Sequence, residues 1–290
     1  MTRVVTFGAT GLLGGSLCPY FSQQGVEVIK AGRSQSSDYV LDITDPKAVE
    51  NLFKAIAPDY VINLVAATDV DRCESDVTYA YTANAKVSGA IAAATQNCRG
   101  LDFHAVHIST DQVYDGRGHH LENFVNPINV YGLSKFTGEL LAASTQAAIL
   151  RTNFYGKSKV LGRNSFSDWI VTSLNAHKSI TVFEDVHFSA LNINSLCGII
   201  FQVMRKRIVG TYNVGCRNGI SKAEFALALA DRLSLNVETA KIGRLADVTL
   251  KAKRPLDMTL DVLKLETALG SHCPDIFEQI ELTAQEYMNA

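Results

Sequence analysis

What this chain of 290 residues lacks already narrows its class. It has no excess of one charge, since 27 Lys and Arg stand against 29 Asp and Glu for a net charge of −2. The pI is near 6.4. With no basic face implied, nucleic acid is not an expected partner. No segment approaches the ~18 consecutive apolar residues of a membrane span. The N-terminus enters a short strand-like run, Arg3 to Gly8, too brief for a signal-peptide core. The six cysteines, Cys18, Cys73, Cys98, Cys197, Cys216 and Cys273, are scattered and form no CxxC pair. That excludes a zinc ribbon or a disulfide framework and suits reduced thiols. A soluble, cytoplasmic protein without membrane association is the expectation. Repeats, low-complexity tracts and flexible linkers are absent too. What is present is 47% hydrophobic and 19% charged sequence, enough for one large α/β domain or for a nucleotide-binding domain with a smaller lobe.

Short β-branched runs alternate with helical patterns through the first half, the rhythm of a parallel sheet covered on both faces. Strands are expected at Val4–Gly8, Val26–Ala31, Tyr39–Leu41, Tyr60–Leu64, Phe103–Ser109 and Ala148–Arg151, with Gly210–Val214 returning late to the same sheet. Helices are expected at Leu12–Gln24, Pro46–Ala57, Val77–Gln96 and Tyr131–Ser144. Right-handed crossovers then make a doubly wound sheet of the Rossmann type. Residues 1–151 read as the nucleotide-binding domain, and residues 152–290 as mainly a substrate lobe interleaved with the end of the sheet. Pro19 breaks the pattern of the first helix, where it costs on the order of 3 kcal/mol unless the helix kinks or stops.

Three motifs carry chemistry. Gly8-Ala9-Thr10-Gly11-Leu12-Leu13-Gly14 follows a strand and opens a helix. The spacing lets backbone approach a pyrophosphate while the helix N-terminus offers free N–H groups and positive potential. A bare glycine pattern is often only a tight turn, but its place at the first βα turn of a βαβ unit points to a dinucleotide. Tyr131 and Lys135 form a YxxxK spacing at a helix start. Positions i and i+4 share a face, so the ammonium is expected near the phenol, favouring phenolate. Taken alone, that spacing usually marks a solvated helix face. Upstream, His107-Ile108-Ser109-Thr110-Asp111 ends a strand at the sheet edge where open α/β sheets bind ligands.

In that order these elements resemble the extended short-chain dehydrogenase/reductase superfamily. Asn63–Glu74, Ser109–Gly116, Pro127–Glu139 and Arg254-Pro255 resemble, more narrowly and over essentially the whole chain, the dTDP-4-dehydrorhamnose reductase family. The resemblance implies hydride transfer from NAD(P)H to the 4-keto carbon of a nucleotide-linked 6-deoxy sugar. It implies Tyr131 as proton donor, Lys135 on the nicotinamide ribose and Thr110 on the keto oxygen. Ala66 and Ala67 would line the adenosine ribose side, and Asp42 and Ile43 the adenine. The substrate would meet Thr68, Gln112, Asn153, Phe154 and Arg254. Gln112, Ala67 and Phe154 depart from the family's usual residues at positions facing the sugar. Some members bind a metal through a Glu of the first helix. Here that residue is Ser16, so no metal is expected. The partner is a nucleotide sugar, and a homodimer is compatible with the reading.

Counting 24 positions from Gly8, where NAD-selective relatives place an Asp, gives Gly32, followed by Arg33 and Ser34. Loss of the carboxylate and gain of a guanidinium favour a 2′-phosphate. NADPH is the expected cofactor, with NADH as the alternative. Three rivals share the fold, and one of them, an epimerising reductase, places a Cys where this chain has Asp111. A dehydratase needs an Asp-Glu pair after the Thr, where this chain has Asp111-Gln112, and an amide is no base. A non-catalytic regulatory subunit, as in the branch related to the methionine adenosyltransferase beta subunit, is the rival from another class. His104 and His107 read as core or edge histidines. His119 and His120 read as solvated loop, and Asp69, Asp71 and Glu74 as helix N-terminal charges or partners of Arg72.

Overall fold

The computed structural model describes residues 1–289. Strands β1 (Arg3–Phe7), β2 (Glu27–Gly32), β3 (Tyr39–Val40), β4 (Tyr60–Asn63), β5 (His104–Thr110) and β6 (Ala148–Thr152) join the strand Gly210–Val214 in a seven-stranded sheet. Its order is Gly210–Val214, β6, β5, β4, β1, β2, β3, and every neighbouring pair is parallel. The order runs outward from β1 in both directions, so the switch point lies between β1 and β4. The late return of Gly210–Val214 beside β6 matches the sequence expectation. Strand limits differ from it by one residue at most.

Alternation along each strand divides the core between the two faces of the sheet. Val4 and Ile62 face one side with Val106, Ile108, Leu17 and Phe21. Val5, Phe7 and Val61 face the other with Val49, Phe53 and Ile91. Fully burying each such side chain contributes roughly 1.5–3 kcal/mol. Helix α1 (Leu12–Gln23) runs through Pro19 without stopping. The backbone bond that Pro19 removes is offset by packing, because Phe21 meets Phe201 edge-on at 5.4 Å on the neighbouring helix Ile193–Arg205. Helix α2 (Pro46–Ile56) begins as its sequence dictates, with Asp45 accepting from the Lys47 N–H and Pro46 in the first turn.

The single helix expected at Val77–Gln96 is instead composite. An α-helical turn at Val77–Tyr81 passes into a π-helical segment at Thr82–Lys86 and back to α-helix at Val87–Asn97. Beyond β6 lie small sheets. Phe154–Tyr155 pairs with Leu191–Asn192, Ile180–Phe183 pairs with Ala240–Gly243, and His187–Phe188 lies between Ile220–Ser221 and Asp257–Met258. His120 is a correction to the sequence reading. It is buried, stacks on Tyr114 with ring centroids 4.9 Å apart, and its Nε2 lies 2.8 Å from the Asp257 carbonyl. No helix among the described residues is long and apolar enough to cross a membrane.

Candidate active site

Parallel strands end together, and the ends of β1, β4, β5 and β6 assemble one edge. Phe7 pairs with Asn63, Asn63 with His107, and Thr110 with Thr152. Gly8 leaves this edge with φ +81°, and a Cβ there would lie 2.9 Å from the Leu64 backbone. Gly14 lies against the Ala9 backbone, where any Cβ would overlap it. Gly11 caps α1 with no side-chain acceptor, and no acidic residue stands in the first turn. The helix therefore opens with unspent N–H donors and positive potential, which fits a pyrophosphate. Thr10 is exposed and Leu12 half-buried, whereas Leu13 points into the core.

At the β2 end, Arg33 is exposed and Ser34 half-buried. Asp42 accepts from the Thr44 N–H and hydroxyl, each at 2.9 Å. Those bonds hold its carboxyl below the usual range, and the charges of Arg33 and Lys86 add to the effect. Ile43 is buried beside Phe7 and Val49, so its side chain belongs to the core and is not free to meet an adenine.

The helix Val130–Ala143 carries Tyr131 and Lys135. Asn129 starts it by accepting from the Gly132 N–H at 2.7 Å, while the Asn129 amide donates to the Lys253 carbonyl at 2.9 Å. Gly132 lets this first turn rest on the Gln112 backbone. The helix thus sits directly against the end of β5. Tyr131 and Thr110 are both buried there, close enough for the Thr110 hydroxyl to act on the phenol.

The expected electrostatics of the pair need correction. The Lys135 ammonium donates to the Ile108 carbonyl at 2.6 Å. The Tyr131 phenol is pushed up, by burial first and with the Asp111 charge adding to it, while Thr110 opposes. It is a neutral phenol in this state, not a phenolate. Lys135 is pushed down to about 8 by burial, with Glu139 acting the other way. Glu139 in turn lies in a buried network. It accepts from the Ser109 hydroxyl and from Arg151 at 2.6 Å, and Arg151 also donates to the Tyr114 hydroxyl at 2.7 Å.

The residues expected on the substrate side divide. Asn153 joins the site, donating to Asp111 at 2.7 Å. Gln112, next after Asp111, has a buried side-chain oxygen with no hydrogen-bond partner among the described residues. Phe154 is partly buried against the main core and pairs with Leu191. Arg254 reaches back to the loop after β4, with Nη2 3.1 Å from Asp71 and Nη1 donating to the Ala252 carbonyl at 2.9 Å. Asp71 therefore pairs with Arg254 rather than Arg72, whose guanidinium lies 3.8 Å over the Tyr79 ring. Asp69 caps the short helix Val70–Ser75, and Glu74 accepts from the Val130 N–H at 3.0 Å. Thr68 is exposed and Ala66 half-buried, but Ala67 is buried against Tyr131 and Cys73.

Two residues escaped the sequence reading. Asn84, fully buried in the π-helical segment, accepts from the Ala67 N–H at 2.8 Å and donates to the Ser134 hydroxyl at 2.9 Å. It clamps the loop after β4 to the tyrosine helix. Lys222 opens the helix Lys222–Arg232, near enough to Asp111 for the two charges to act on one another. Neither stands in a motif that spacing alone exposes.

Fold and site define a doubly wound nucleotide-binding protein with a threonine, a tyrosine and a lysine gathered beside a glycine turn. The chain belongs to the family described as RmlD substrate binding domain, whose model matches residues 1–289. It is 30% identical over 292 residues to a dTDP-4-dehydrorhamnose reductase of Aggregatibacter actinomycetemcomitans, covering 93% of this chain and 94% of that one. Methionine adenosyltransferase 2 subunit beta of Rattus norvegicus is 26% identical, covering 94% of this chain and 84% of its own. Among solved structures, dTDP-4-dehydrorhamnose reductase of Bacillus anthracis in complex with NADP superimposes with a TM-score of 0.87 at 26% identity, covering 100% of both chains.

Proposed function

We propose that this protein reduces the 4-keto group of a nucleotide-linked 6-deoxy sugar with NADPH. The observation that carries the reading is the meeting of Thr110 and Tyr131 at the C-terminal edge of the sheet, beside a helix N-terminus free of side-chain acceptors. Gly8–Gly14 would hold the pyrophosphate of NADPH, which when bound would supply the hydride for the carbonyl carbon. Tyr131, neutral and buried, gives its proton to the carbonyl oxygen, so that the ketone becomes an alcohol. Thr110 holds that oxygen in line with the phenol. Lys135, anchored on the Ile108 carbonyl, presents its remaining N–H donors to the cofactor ribose. Arg33 and Ser34 meet the 2′-phosphate, and Ala66 and the Asp42 turn line the adenosine side. Thr68, Gln112, Asn153, Phe154 and Arg254 surround the sugar nucleotide.

Gln112 opposes a dehydratase, because an amide cannot take the proton that elimination releases. The regulatory reading has one support, the relative named as a methionine adenosyltransferase subunit. A panel of nucleotide 4-keto-6-deoxy sugars incubated with NADPH tests both, with loss of nicotinamide absorbance and product analysis as readouts. Reduction of one panel member is the expected result. No turnover of any sugar, together with capture of an adenosyltransferase, would give the regulatory role precedence.

A further inference from the structure

Lys222 occupies a position that costs stability. It is the first residue of its helix, where a cation opposes the helix dipole. It is also withdrawn from solvent far enough to push its ammonium below the usual lysine range. The helix does not need it there, since Ser221 and Glu224 already close a reciprocal cap: the Glu224 N–H donates to Ser221 at 3.1 Å and the Ser221 N–H to Glu224 at 2.7 Å. The Lys222 side chain passes over the Phe166 ring, with Nζ 5.3 Å from the centroid. Among the described residues the ammonium has no hydrogen bond and no ion pair. Its three donors are all unspent.

Asp111, buried at the end of β5, lies within electrostatic reach of that ammonium. One carboxylate oxygen accepts from Asn153 at 2.7 Å and the other from the Thr110 hydroxyl at 3.2 Å. A carboxylate accommodates about four such bonds, so Asp111 retains capacity. Asp111 and Lys222 attract one another, yet no direct ion pair joins them. The carboxylate is thus bonded to the same Thr110 that meets the Tyr131 phenol. An acceptor with spare capacity, bonded to Thr110, and a donor with none of its bonds spent thus lie within electrostatic reach of each other without forming an ion pair.

We propose that Asp111 and Lys222 read one sugar hydroxyl, the one on the ring carbon next to the reacting carbonyl. The hydroxyl donates to the Asp111 carboxylate and accepts from the Lys222 ammonium, filling the gap between them. The pair selects hydroxy sugars over their deoxy counterparts at that carbon and fixes the ring so that the carbonyl oxygen meets Tyr131. This deepens the reductase reading and rests on it. Lys222 is a specificity residue in direct contact with substrate, and Asn153 positions Asp111.

The test is a cycle of two substrates and two proteins. Turnover with NADPH is measured for a nucleotide-linked 4-keto-6-deoxy sugar and for its analogue lacking the 3-hydroxyl, with the wild type and with Lys222→Met, which keeps the length of the side chain without its charge. The wild type should favour the hydroxy sugar by about 10- to 100-fold in kcat/KM, the scale of a hydrogen bond to a charged group. Lys222→Met should collapse that ratio toward unity, mainly through loss on the hydroxy sugar, while NADPH binding followed by fluorescence stays unchanged. A purely structural lysine would lower both substrates by the same factor and leave the ratio intact, which overturns the pairing while the reductase reading stands. If the wild type reduces neither sugar and calorimetry shows no binding of either, the reductase reading fails and takes this proposal with it.

Discussion

The Lys135 ammonium donates to the Ile108 carbonyl at 2.6 Å, pinning the helix of Tyr131 to the strand that ends in Thr110. The two residues proposed to share one substrate oxygen are therefore held by a direct bond between their supporting elements. Holding reactive groups in place before substrate arrives is what lets a proton transfer proceed without reorganisation.

Tyr131→Phe should lower turnover by about 10²–10⁴-fold, the usual cost of losing a general acid. NADPH affinity should change little, because the phenol acts at the reacting carbonyl. Steady-state kinetics beside a fluorescence titration separate the two. A variant with near-normal turnover would remove Tyr131 from the mechanism.

Arg33→Ala should erase most of the preference for NADPH over NADH. The guanidinium is exposed at the end of β2 and has no ion-pair partner among the described residues, which leaves it open to a phosphate. The wild type is expected to discriminate by about 10–100-fold, the equivalent of roughly 1.5–3 kcal/mol for a hydrogen bond to a charged group. The readout is kcat/KM with each cofactor, and equal use of both by the wild type contradicts the assignment.

Asp111→Asn should stabilise the protein near neutral pH. Burial raises the Asp111 carboxyl from 3.8 to about 6. The folded state thus binds a proton more tightly than the unfolded state, and ionising the group costs stability. The cost is fully present above about pH 6 and vanishes below about pH 4. A shift of that size corresponds to at most about 3 kcal/mol. Urea unfolding of both proteins across this range should show the advantage of the variant shrinking as the pH falls. An advantage that is constant with pH would mean that the carboxyl ionises as freely as in an unfolded chain.

Glu139→Gln should destabilise by about 3–5 kcal/mol, since it leaves the buried Arg151 guanidinium without its counter-charge. The double variant Glu139→Gln with Arg151→Met should recover part of that loss. Additive losses in a double-mutant cycle would show that the 2.6 Å pair contributes no coupling.

Legibility followed the range of the interactions. The glycine turn, the start of the tyrosine helix near Tyr131 and the existence of the sheet strands depend on neighbours in sequence and could be read there. The Tyr131–Lys135 spacing was legible, but its electrostatics were not, because burial at the sheet edge outweighs the ammonium and only packing reveals burial. Lys222 lies far from Asp111 along the chain, in a helix start that looks ordinary. His120 reads as a loop residue until Tyr114 stacks on it. Asn84 is hidden for another reason: a period of 3.6 residues describes its surroundings only if the helix is regular.

That helix is not regular, and the π-helical segment Thr82–Lys86 acts as a phase shifter. One extra residue in the turn offsets everything downstream by about 100° around the axis. Asn84 can then point at Ala67 and Ser134 while Val87 and Ile91, further along, still face the core. Chain length inside this segment is consequently under tighter constraint than residue identity. Shortening it by one residue would relax it to an ordinary helix, and either the clamp or the core contact would rotate into solvent.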